Sequence, residues 1–164
     1  MTEREHTSHH EAGRAVMAYL RNVHLERVTI LADERRVSGT GTRSYADSVR
    51  MEIGLAGAFA QCLHAGGFTP GRQAPETYIR AMNACLKCSE DDVAQRALAR
   101  EVKPEGAYVG QKLMDEVLSS PYARDILFDV SDHWHLIEAL ATALVERDSL
   151  SEAEVHQIIQ ATDP

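Results

Sequence analysis

The stretch "HTSHHEAGRAVMAYL", residues 6–20, sets the reading of everything after it. Ser8 and Glu11 stand three apart, the spacing of a capping box. In that motif the hydroxyl accepts from the N3 amide and the glutamate reaches back to the N-cap amide. The pair predicts a helix starting near Ser8, and Val16, Met17, Tyr19 and Leu20 carry it to about Arg21. A second start signal lies upstream, in Thr2 with Glu5. A helix begun there would put His6 one turn before His10 and on the same face.

Beyond this helix, "ERVTIL" (26–31) is rich in β-branched residues and reads as a strand. "VSGTGT" (37–42) is its expected partner, weakened by its glycines. A helix is expected from about Ala46 to Ala65, ended by Gly66 and Gly67. Met51, Leu55, Phe59 and Leu63 repeat every four residues along it, and Ile53, Ala56 and Ala60 widen that stripe into a largely buried surface. Further helices are expected over about 76–86, 89–101, 105–118 and 121–147, the last bent at "DVSD" (129–132). Ser151 and Glu154 have capping-box spacing for a terminal helix. The fold class is therefore mainly α, with a small β-sheet or hairpin after the first helix, in a single domain over residues 1–164.

Composition narrows the function. Of the 164 residues 44% are hydrophobic and 26% charged, ordinary for a globular chain. The net charge of −8 argues against nucleic acid and anionic membranes, which need a basic footprint. No apolar run approaches the roughly 20 residues that cross a bilayer, and "MTEREHTSHHEAGR" is too polar for a signal peptide. Three cysteines do not suggest a secreted disulfide framework. These features lead us to expect a cytoplasmic protein with reduced thiols.

The chemistry concentrates at His10, Glu11 and Arg14. In a His-Glu-x-x-His helix, two histidines four apart reach one zinc ion, and the glutamate activates the metal-bound water. Here the second histidine position holds Arg14. A guanidinium stays charged and offers donors but no lone pair. At about 4 Å from a divalent ion it costs several kcal/mol even at an effective dielectric of about 20. The plain alternative makes Glu11 a capping residue and His10 a surface histidine. Cys85 and Cys88 form a CxxC without a second pair, and read more simply as helix-end thiols of which one is buried. In "DHWHLIEAL" (132–140), Trp134 is expected in the core or against a partner, with His133 and His135 flanking it at the surface.

Five segments in order, covering most of the chain, resemble the peptidase domain of the FtsH family of ATP-dependent zinc metalloproteases. "HHEAGRAVMAYL" (9–20) resembles that family's zinc helix, and "VHLERVTIL" (23–31) the strand after it. "IGLAGAFAQCLHAG" (53–66) is similar to its long helix, and "SEDDVAQRALA" (89–99) to the segment bearing its third zinc ligand. "LIEALATALVERDSLSEAEVHQII" (136–159) is similar to its C-terminal region, and "SGTGT" (38–42) falls at a matching strand. The resemblance implies zinc as cofactor, His10 and Asp92 as metal ligands and Glu11 as catalytic base. It places Arg14 at the missing ligand and Gln61 near a glutamate of the long helix. No GxxxxGK[ST] motif occurs, so no ATPase domain and no ATP-driven unfolding are expected of this chain.

Two functions follow as expectations. In the first, the chain is a stand-alone, degenerate peptidase-like domain that holds zinc weakly or not at all. It would bind a protein partner as a regulatory module, with Arg14 bonded to Glu11 or Asp92. In the second, it is an active zinc metallopeptidase with an altered ligand set of His10, Asp92 and His6 or His9, acting on unfolded protein or peptide. The family's rings make a homo-oligomer an expectation in either case.

Overall fold

A computed structural model describes residues 2–31, 41–42, 47–65, 67–69 and 121–163. The first helix, α1 (Glu3–Leu20), starts earlier than the Ser8 signal indicates. Thr2 caps it: its hydroxyl accepts from the Glu5 amide at 3.3 Å, and the Glu5 carboxylate accepts from the Thr2 amide at 2.7 Å. Ser8 lies inside the helix and turns its hydroxyl back onto the Arg4 carbonyl at 2.7 Å. The capping-box reading of Ser8 and Glu11 is thereby corrected, and Glu11 is released from any role at a helix end. The helix closes at Asn22, whose φ of 53° lets the chain reverse while Val23 donates to the Ala18 carbonyl.

Strand β1 (Leu25–Thr29) follows, paired antiparallel with β2 (Gly41–Thr42) as Leu25 against Thr42 and Arg27 against Gly41. Its other edge is covered by β3 (Ser149–Ser151), giving the order β2-β1-β3. Helix α2 (Asp47–Ala65) ends where Gly67 adopts a φ of 71° and Phe68 donates to Leu63. The expected 121–147 helix is two helices, α3 (Pro121–Asp132) and α4 (Trp134–Arg147), broken at His133. Helix α5 (Glu152–Thr162) begins at the Ser151–Glu154 capping box, as its spacing indicates. The chain is thus mainly helical with a small antiparallel sheet after the first helix. The helices expected over 76–86, 89–101 and 105–118 lie outside the described residues. Among the described residues no helix is long and apolar enough to cross a membrane.

Helix α1 is enclosed by α2, α4 and the sheet. Ala12, Ala15, Val16 and Met17 are buried in it, facing Leu55, Ala56, Phe59 and Leu63 of the α2 stripe and Ile137, Leu140 and Leu144 of α4. Trp134 is in the core, as expected, while His135 is exposed and His133 half-buried. Arg21, just past α1, bridges to Glu52 of α2 and to Asp129 of α3, the latter at 2.8 Å. Arg4 ties the other end of α1 to the Val145 carbonyl at 2.6 Å and to Asp148.

The α1–α2 crossing depends on small residues. A Cβ on Gly13 would lie 2.6 Å from the Ala60 Cβ and 2.7 Å from the Ala56 carbonyl oxygen. Alanine at 13 would gain up to about 1 kcal/mol of helix propensity, but the Ala56 backbone cannot yield. We expect Gly13→Ala to destabilise the fold by about 1–3 kcal/mol net through overpacking, read as a lower urea midpoint with an unchanged m-value.

Candidate functional site

His9, His10 and Glu11 are consecutive, polar and buried, with exposures of 9%, 6% and 2%. This is possible only because α1 is surrounded. On a helix with one solvent face, three successive residues cannot all point inward. Buried polar groups need partners: α1 itself supplies Glu5 and Arg14, and α2 supplies Gln61.

His10 reaches Gln61, with Nδ1 3.1 Å from Oε1. The amide oxygen accepts, so Nδ1 is the donor of this bond. A metal-ligating histidine is oriented in the same manner, by a carbonyl on its far nitrogen. Gly57 makes room for this ring: a Cβ there would lie 3.0 Å from His10 Nε2 and 2.6 Å from Arg14 Cγ.

Arg14 is on the same face one turn later. Its Nη1 lies 3.5 Å from Glu11 Oε1 and 3.4 Å from Oε2, and the two side chains are 16% and 3% exposed. The expected pairing of Arg14 with a site carboxylate is therefore present at Glu11. Its Nε is buried and has no hydrogen-bond partner. Asp92, Cys85 and Cys88 lie outside the described residues, so their approach to His10 is not described.

These residues do not suit the zinc that the resemblance implies. His10 has a ligand's orientation, but the guanidinium lies against the carboxylate that would serve a metal-bound water. The cation disfavours a second cation there. Among the described residues, no group of three or more His, Cys, Asp or Glu side chains is arranged to hold a metal ion.

A second polar cluster sits at the N-terminal end of α1, where the earlier helix start carries His6 into the structure. It joins His6 and His9 of α1 to His64 of α2 and Trp134 of α4. The His9 and His64 rings stack at 3.5 Å, and His6 meets His64 edge-on at 5.9 Å. Trp134 lies 5.9 Å from the His9 ring. His9 Nδ1 donates to the Glu5 carbonyl at 2.8 Å. His64 belongs to no motif in the sequence and enters the cluster only through the fold. The available signal was its place one turn beyond Gln61 on the long helix.

Burial, then the neighbouring His9 and His6, push the His64 ring down to about 4. Burial likewise lowers His9. No known protein-family model matches the chain, and no curated protein matches it.

The histidine cluster sets a pH dependence. His64 is neutral in the folded chain but takes a proton near its ordinary value of 6.5 when unfolded. The unfolded state therefore binds more protons, and stability falls as pH drops. We expect stability to be full above about pH 7 and to be lost progressively from 6.5 to about 4. The groups facing His64 are His6, His9 and Glu5 of α1 and Glu138 of α4. Urea midpoints measured across this range should slope less in His64→Gln.

Proposed function

We propose that this chain is a degenerate FtsH-type peptidase-like domain that no longer hydrolyses peptides and serves as a binding or regulatory module for a protein partner. The observation that carries this reading is the Arg14 guanidinium lying 3.4–3.5 Å from both oxygens of the buried Glu11 carboxylate. A general base must be free to take a proton from water and near neutral in affinity for it. In Glu11 both carboxylate oxygens have the guanidinium beside them rather than an open approach for water. The same cation occupies the helix position from which a second histidine would bind zinc.

What the chain's own residues do there is structural. Gln61 orients His10, and Arg14 neutralises Glu11 in a place where an unpaired carboxylate would be costly. The pair lets a polar helix face persist in the core without metal. Self-association into a homo-oligomer belongs to the same reading.

The experiment compares wild type with Arg14→His. We expect the wild-type zinc content to be unaffected by His10→Ala and the protein to leave casein intact. Arg14→His should gain zinc that depends on His10, read by elemental analysis after gel filtration. Glu11-dependent cleavage of casein by the wild type would refute the proposal and establish an active peptidase with an altered ligand set.

A further inference from the structure

We propose that His6 of α1 and His64 of α2 form a two-histidine site for a divalent transition-metal ion such as Zn²⁺ or Cu²⁺, separate from the His10–Glu11–Arg14 face. His6 Nδ1 and His64 Nε2 are both buried and both lack a hydrogen-bond partner. Buried ring nitrogens are ordinarily satisfied, so two orphans on neighbouring rings mark a place open to a ligand. With metal–nitrogen bonds of about 2.0–2.1 Å, two imidazoles on one ion hold their centres roughly 5–6 Å apart. The His6 and His64 rings are 5.9 Å apart and inclined at 75°.

The surroundings suit a cation. His64 is unprotonated at neutral pH, because burial and the adjacent His9 and His6 oppose its charge. The Glu5 and Glu138 carboxylates act on it with the opposite sign, favouring positive charge beside the ring. His9 stacks on the His64 face, and its own bond to the Glu5 carbonyl holds it there. Trp134 lies beyond His9 and backs the stack. A ring covered on one face by a stacked neighbour keeps its edge for a ligand, and His6 lies beside it with ring centres 5.9 Å apart. Imidazole suits zinc, copper and nickel rather than magnesium or calcium. Two protein ligands leave the remaining positions to water, so the site would be exchangeable rather than a closed structural centre.

This site does not use Glu11 or Arg14, so it stands whether or not the peptidase-like reading holds. The test uses the full chain stripped of metal. One equivalent of Cu²⁺ is added, and pulsed electron paramagnetic resonance counts the coordinated imidazoles; two are expected. Zn²⁺ is titrated calorimetrically into wild type, His6→Gln and His64→Gln. Losing a second-shell partner alone costs 10–100-fold in affinity, so each ligand variant should lose at least about tenfold. Thermal unfolding establishes that the variants fold, and the wild-type spectrum decides the matter if they do not. One imidazole or none in that spectrum would overturn the proposal. So would zinc affinity that survives both substitutions in folded protein, or that depends on His10 instead of His64.

Discussion

The close antiparallel crossing of α1 and α2 is the constraint on which the rest of the structure depends. Gly13 lies against Ala56 and Ala60, and Gly57 against His10 and Arg14, at distances that leave no space for a Cβ. Among the described residues, the buried polar groups of α1 are ordered along this crossing. His6 and His9 meet His64 at one end, His10 meets Gln61 in the next turn, and Arg21 meets Glu52 at the far end. A wider crossing would lengthen each of these contacts at once. Small residues at the centre and polar pairs along the seam are therefore one device.

The seam has an energetic logic. Ser8, His9, His10 and Glu11 are all buried, a polar run that a simple amphipathic helix would place in water. Each has a partner that offsets its desolvation: the Arg4 carbonyl for Ser8, the Glu5 carbonyl for His9, Gln61 for His10 and Arg14 for Glu11. Two of the four, Ser8 and His9, bond the α1 backbone carbonyl one turn back. That local solution is available only to short hydroxyls and to histidine Nδ1 at helical spacing. Arg14 and Gln61 are the long side chains that complete the remaining two. A core arranged in this way tolerates polarity, yet leaves His6 Nδ1, His64 Nε2, Trp134 Nε1 and Arg14 Nε without hydrogen-bond partners.

The outer elements hold this seam in place. Arg4 fastens the start of α1 to the end of α4, and Arg21 fastens its end to α2 and α3. Glu152, at the start of α5, accepts from the Leu25 amide at 3.0 Å and lies 2.6 Å from His24. The terminal helix is thus tied to the first strand by a side chain rather than by apolar contact alone. Asp148, at a φ of 65°, turns the chain from α4 into β3, which closes the second edge of β1.

Local sequence determined the elements whose signals are short-range. The four-residue stripe of α2, its glycine stop and the Ser151–Glu154 capping box were legible, because each rests on residues within one or two turns. So was the first strand, from its β-branched run, whereas the sequence left Arg14 to bond either Glu11 or Asp92, of which Glu11 is the one described beside it. The start of α1 was not decidable in this way. Thr2–Glu5 and Ser8–Glu11 are equally good capping boxes, and the choice fell to tertiary structure. Packing α1 against α2 and α4 keeps the earlier turn helical, with Arg4 anchored on Val145 and His9 stacked on His64. Strand β3, the break at His133 and the histidine cluster likewise depend on residues brought together from distant parts of the chain. Their energies come from closing long loops onto a shared core, a quantity that no local pattern encodes.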